Sequence, residues 1–274
     1  MIRSILTAAA LFASASTLAA DTLKMAVTTS FHNSGLSEIL LPEIQKDIGL
    51  EVQLIVVGTG QAIRLGEAGD VDAILVHSRK AEEAFLEGGF GTHRREIMYN
   101  DFVLVGPSDD PAKIAGTETA KEALTAIAAN EAPFASRGDD SGTHKMELAL
   151  WNTAGIDDTK RGSSWYNEAG AGMGATLNTA AGLNAYVLTD RASWLNFGNK
   201  QSLTLLFSGD PVLFNQYAFL PVNPEMHPHV KHDLAMNLEN WLTSARAAEL
   251  INSYTINGET LFTFNAEQML KAAE

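Results

Sequence analysis

Nine consecutive residues, Ser136-Arg137-Gly138-Asp139-Asp140-Ser141-Gly142-Thr143-His144, bring together a guanidinium, two carboxylates, hydroxyls, an imidazole and two glycines. A helix-periodic segment, Lys145-Met146-Glu147-Leu148-Ala149-Leu150-Trp151, follows at once, so Ser141 is expected to cap a helix running to about Ala154. A loop of this kind leaves unpaired backbone N–H groups at the positive end of a helix dipole, which favours an oxyanion. Arg137 adds a planar fork of donors with the same preference. The bland alternative is an ordinary capped loop carrying a surface arginine.

Four further loops have a similar character. They are Thr28-Thr29-Ser30-Phe31-His32-Asn33-Ser34-Gly35, Gly58-Thr59-Gly60-Gln61, His77-Ser78-Arg79 and Gly170-Ala171-Gly172-Met173-Gly174. Each is small and hydroxyl- or glycine-rich, and each precedes a helix-like segment. One such loop means little, since Ser, Thr and Gly dominate turns and caps. Five at equivalent places after strands point to a cleft lined with hydrogen-bond donors.

The elements that must position these loops alternate from the start. Leu23 to Val27, Val52 to Val57 and Ala73 to Val76 read as apolar strands, with helices over Ser34 to Ile48, Gly60 to about Ala68 and Lys80 to Glu87. That β-α-β-α-β run predicts a parallel sheet covered on both faces by helices. Met98 to Val105 is a long strand that can leave this sheet, and Pro107 and Pro111 mark a change of unit. The pattern then restarts: helix Glu118 to Asn130, strand Pro133 to Ser136, the capped helix, helix Gly172 to Leu183, strand Tyr186 to Leu188, helix Asp190 to Asn196. Leu203 to Phe207 and Val212 to Pro221 are strand-like. Helices over Val230 to Ala247 and Ala248 to Ser253, and an extended piece near Leu261 to Phe264, close the chain.

The expected fold class is therefore α/β, a clamshell of two α/β lobes joined by two crossing segments near residues 104–110 and 206–214. Lobe I takes residues 21–106 and 212–274 and lobe II residues 107–211. A ligand is expected in the interlobe cleft, at the carboxyl ends of the parallel strands.

Composition narrows the function. Residues 1–20 read as a secretory signal peptide, with Arg3, the apolar run Ile5 to Leu18 and small residues at Ala19-Ala20. The exported product would be periplasmic. The 274-residue chain has no cysteine, which excludes a disulfide framework and thiol chemistry. Its net charge of −14 argues against nucleic acid, and an anion site must be built from local donors. Catalytic readings are poor. Ser141 and His144 have no Gly-x-Ser-x-Gly elbow and no triad geometry, so an exported hydrolase is a remote alternative. His227, His229 and His232 could bind zinc opportunistically, but flanking Pro224 and Pro228 make a loop-to-helix start the simpler reading, and neither a cation site nor a cofactor is expected. Trp165, Tyr166 and Trp194 either line the cleft or belong to the core.

The residues quoted above, together with Val76-His77-Ser78, Trp165-Tyr166 and Thr189-Asp190-Arg191, resemble the periplasmic solute-binding proteins of ABC importers, most closely the tungstate-binding TupA type. The resemblance covers essentially the whole chain after the signal. It implies a non-enzymatic, monomeric clamshell of the type II kind, which captures an oxyanion and hands it to an inner-membrane permease with a cytoplasmic ATPase. It also implies ligand contacts at Thr29, Ser30, Thr59, Ser136, Arg137, Ser141 and Thr143, with Ser78, Gly172 and Met173 as secondary candidates.

The phosphate-binding family shares the arrangement read here at Arg137, Asp139, Ser141, Gly142 and Thr143. Chemistry separates the two families. Phosphate at neutral pH keeps a proton, so a dry selective site needs a carboxylate acceptor; tungstate and molybdate are unprotonated dianions that want donors only. His77-Ser78 stands where phosphate binders place an aspartate, and only Asp139 or Asp140 remains as an acceptor, unless each pairs with Arg137 or caps the helix. Tungstate is thus the expected ligand, with molybdate, phosphate or sulfate as alternatives.

Overall fold

The computed structural model describes residues 21–159, 161 and 164–266; the expected signal peptide lies outside them. In chain order the elements are β1 (Asp21–Thr28), α1 (Thr29–Asn33), α2 (Leu36–Ile48), β2 (Leu50–Val57), α3 (Thr59–Ala68), β3 (Ala73–Val76), α4 (Arg79–Glu87) and β4 (Arg95–Pro107). Then come α5 (Ala120–Ala129), β5 (Phe134–Ser136), α6 (Gly142–Thr153), β6 (Tyr166–Glu168), α7 (Met173–Leu183), β7 (Tyr186–Asp190), α8 (Arg191–Asn196) and β8 (Leu203–Phe207). The chain continues with β9 (Phe214–Pro221), α9 (His232–Leu242), α10 (Ala245–Ser253), β10 (Thr255–Ile256), β11 (Glu259–Thr260) and β12 (Thr263–Phe264).

In the first lobe β2, β1 and β3 run parallel, Asp21 opposite Leu50 and Met25 opposite Ala73. β9 pairs antiparallel with β3, and β4 with β9, so the sheet is mixed rather than wholly parallel. The 13-residue β4 belongs to both lobes. From Arg95 to Asp101 it pairs with β9, and from Phe102 onward with β7 and β8. In the second lobe β7, β5 and β6 are parallel. The return crossing lies between β8 and β9.

Strand alternation builds a core on each face of each lobe. Leu23, Met25 and Val27 pack with Leu36, Leu40, Leu238 and Ile251 of α2, α9 and α10, so the C-terminal helices do return to the first lobe. Ala26, Ile74 and Val76 face Ala62 and Phe85 of α3 and α4. In β4, Phe102 and Leu104 pack on Leu124, Leu150 and Trp151, while Val103 and Val105 pack on Leu177 and Trp194. Trp165 also belongs to the core.

Local chemistry explains the departures from the expected elements. The loop after β1 holds a short helix, α1, which Thr28 caps by accepting from the Phe31 N–H at 3.2 Å. Gly35, at φ 79°, then breaks the chain before α2. The single helix expected from Val230 to Ala247 ends at Leu242, because Ser244 caps a new helix through the Ala247 N–H at 3.2 Å. The β10–β11 hairpin turns at Asn257 and Gly258, both at positive φ. The histidine tract is a loop anchor: His227 and His229 place Nε2 at 2.9 and 2.8 Å from the Glu67 and Gly69 carbonyls. Among the described residues no cluster of three or more His, Asp or Glu is arranged to hold a metal ion.

Candidate functional site

The second lobe supplies a cradle built on the loop from β5 to α6. Gly138 sits at φ 56°, where a Cβ would lie 2.6 Å from Glu168, so the turn needs glycine. Asp139 then folds the loop back on itself. Its Oδ1 accepts the Ser141 N–H at 3.2 Å and its Oδ2 accepts from Arg137 Nη2 at 2.5 Å. Ser141 caps α6, its Oγ accepting the His144 N–H at 3.1 Å, as the sequence predicts.

Arg137 is 1 % exposed and Thr143 is fully buried. Asp139 holds one edge of the guanidinium, while Nε and Nη1 are buried with no hydrogen-bond partner, and so is Thr143 Oγ1. Burying donors unpaired costs on the order of 1–3 kcal/mol each, and more for a charged group. A buried guanidinium held by Asp139 at Nη2 alone, with two of its three nitrogens unpartnered, is arranged to receive an anion.

The loop after β2 meets this cradle from the first lobe. Fully buried Thr59 accepts the Gly142 N–H at 3.0 Å through Oγ1, and the Gly60 N–H donates to the Asp140 carbonyl at 2.9 Å. The Thr59 oxygen is engaged as acceptor and its own proton remains to donate. Thr29 faces Gly172 across another part of the cleft, its Cγ2 3.6 Å from where a Gly172 Cβ would stand. Asn196 Nδ2 donates to the Asn33 carbonyl at 2.7 Å, a further contact between lobes. Ser30 is buried at 1 % exposure.

Ser136 is fully buried and central to a polar network. Its Oγ accepts from the Gly138 N–H at 3.2 Å and lies 2.9 Å from the Tyr166 hydroxyl and 3.2 Å from His144 Nδ1. Tyr166 donates to buried Glu147 at 2.5 Å, and burial followed by the Glu147 charge pushes its phenol well above the usual phenol range. The secondary candidates sit differently. The Ser78 N–H is taken by Glu82 at 2.6 Å, and Ser78 lines a lateral cavity beside His77 and Gly142. Met173 packs its side chain in the core with Val103 and Leu177, which leaves only its backbone to face a ligand.

Beneath the cradle lies a buried layer that the sequence pattern alone does not reveal. His77 stands beside Gly142, its Cε1 3.0 Å from where a Cβ there would stand. Burial first, and the Arg137 charge with it, pushes its imidazole down to about 4 despite the Asn215 hydrogen bond. Asn215 Nδ2 donates to Asn100 Oδ1 at 2.6 Å, so Asn215 Oδ1 accepts and His77 Nδ1, 2.8 Å away, carries the proton. His77 packs on Tyr217 with ring centroids 4.7 Å apart. Asp190 is fully buried, and burial pushes its carboxyl toward the neutral form. Its Oδ1 caps α8 through the Ser193 N–H at 2.8 Å. The motif Thr189-Asp190-Arg191 at a strand end is the only sequence signal for it.

Comparison with known proteins gives a consistent picture. Residues 13–246 match the model of a PBP superfamily domain. The tungstate-binding protein TupA of Peptoclostridium acidaminophilum is 44 % identical over 255 residues, covering 91 % of this chain and 88 % of that protein. Among solved structures, the tungstate ABC transporter protein from Geobacter sulfurreducens is 50 % identical with a TM-score of 0.78, covering 85 % of this chain and 98 % of that one. The tungstate-binding protein TupA from Desulfovibrio alaskensis G20 is 45 % identical with a TM-score of 0.78, covering 90 % and 100 %.

Proposed function

Because this chain belongs to the PBP superfamily, and within it to the family of the TupA proteins, we propose that it is the periplasmic solute-binding component of an ABC importer and captures tungstate between its lobes. The observation that carries this reading is the buried guanidinium of Arg137, whose Nε and Nη1 have no partner, beside the equally unpartnered Thr143 hydroxyl. Thr29, Ser30, Thr59, Ser136, Ser141 and Thr143 are the hydroxyl contacts and Arg137 the balancing cation. Lobe I is residues 21–106 with 212–274, and lobe II residues 107–211. The protein works as a monomer, without a cofactor, and is not an enzyme; it delivers the ion to an inner-membrane permease coupled to a cytoplasmic ATPase.

The donor set supports an unprotonated dianion over phosphate. Asp139 is taken by Arg137 and the Ser141 N–H, and Asp140 by Arg64 and Lys145 at 2.7 and 2.8 Å. Neither is free to accept the proton of phosphate. Asp190 is pushed by burial toward its neutral form, and with Oδ1 accepting the Ser193 N–H its unpartnered Oδ2 is placed to carry the proton and donate. Closure removes water, and charge-assisted donors strengthen in the lower dielectric.

A thermal-shift series with tungstate, molybdate, sulfate and phosphate tests the reading. Tungstate raises the melting temperature at micromolar concentration, whereas phosphate and sulfate at the same concentration leave it unchanged. A larger shift with phosphate overturns it.

A further inference from the structure

Asp140 joins the cradle loop of the second lobe to α3 of the first. Four consecutive residues alternate between two tasks. Asp139 and Ser141 shape the cradle around Arg137, whereas Asp140 and Gly142 reach across to the first lobe. Asp140 makes three contacts. Its carbonyl accepts the Gly60 N–H at 2.9 Å, its Oδ2 meets Arg64 Nη1 at 2.7 Å, and its Oδ1 meets Lys145 Nζ at 2.8 Å. Gly60 has no side chain to obstruct this: a Cβ there would stand 1.6 Å from Asp140 Oδ2. Arg64 lies on α3 of the first lobe and Lys145 on α6 of the second, so the carboxylate bridges the cleft. Burial raises the Asp140 pKa, but Lys145 and Arg64 outweigh it and hold the carboxyl below its usual range.

Resting on the tungstate reading, we propose that Asp140 is a positioning residue, a latch that through Arg64 keeps the lobes shut and the Thr59 hydroxyl aimed at the bound ion. The Gly142 N–H fixes the Thr59 oxygen as an acceptor, two residues from the point where the Asp140 carbonyl takes the Gly60 N–H. Opening the latch therefore withdraws Thr59, one of the first lobe's donors, while leaving the Arg137 cradle intact.

The signs of two substitutions separate this from simple charge. By charge alone, removing a carboxylate near a dianion slows its release, and removing a guanidinium speeds it. A latch requires both to speed it. Side chains of Arg64 and Asp140 are 56 % and 48 % exposed, so neither Arg64→Ala nor Asp140→Ala threatens folding. Stopped-flow release of tungstate, read by tryptophan fluorescence after rapid dilution, is expected to be about two- to fivefold faster in each variant, the range of an exposed ion pair. The double variant should release no faster than the faster single one, since both remove one contact. Slower release in Asp140→Ala, or wild-type rates in both variants, overturns the latch alone. A wild-type chain with no tungstate signal overturns the ligand reading and this inference with it.

Discussion

Replacing Arg137 by alanine removes the one buried cation of the cradle, and the structure sets the size of the loss. The side chain is 1 % exposed, Nη2 is held by Asp139, and Nε and Nη1 have no partner. Nε and Nη1 diverge, so one of them serves the ion, and a charge-assisted hydrogen bond of about 1.5–3 kcal/mol sets the loss at roughly ten- to a hundredfold in affinity. The loss also frees Asp139, a carboxylate beside a dianion, which works in the same direction. Arg137→Lys keeps the charge but not the fork, so its affinity should fall between wild type and Arg137→Ala. Isothermal titration with tungstate measures all three proteins. Arg137→Ala binding within threefold of wild type would refute the reasoning, because Arg137 supplies the buried, unpartnered cationic donors of the cradle loop.

Two further outcomes follow from the buried layer and the cleft contact. His77 has its pKa depressed from 6.5 to about 4, so the unfolded chain binds more protons between those values, and stability falls as pH drops from about 6.5 to about 4. The contribution is about 3 kcal/mol, and ligand-free His77→Gln should lack that part of the slope in urea titrations at stepped pH. At Gly142 a Cβ would stand 2.9 Å from Thr59 Oγ1 and 3.0 Å from His77 Cε1, both in the opposite lobe. Gly142→Ala should therefore weaken tungstate binding by roughly 1–3 kcal/mol, the usual cost of overpacking, with a smaller change in the ligand-free melting temperature.

Local signals were legible in the sequence. Strand and helix alternation shows in apolar runs such as Val52 to Val57 and Ala73 to Val76, and the Ser141 cap and Arg137 are visible as residue types at a strand-to-helix turn. The Asn257-Gly258 dipeptide is a hairpin signal too, and the hairpin it forms was not among the expected elements. Contacts between distant segments were not legible. Arg64 and Asp140 are 76 residues apart, and nothing local to either marks the pair. Asp190 ends β7, His77 follows β3 and Tyr217 lies within β9, and only packing of distant segments brings their burial about. Likewise β6 has three residues and takes its strand form from pairing with β5. Candidate donors could be named from sequence; which carboxylates were already occupied could not.

Locating the metal atom itself tests the central claim most directly. Tungsten scatters anomalously, so diffraction from crystals grown with tungstate marks its position without reference to the protein phases. One strong peak is expected within hydrogen-bonding reach of an unpartnered Arg137 nitrogen, Thr143 Oγ1 and the Thr59 hydroxyl. A strong peak elsewhere, with none in this cleft, would contradict it.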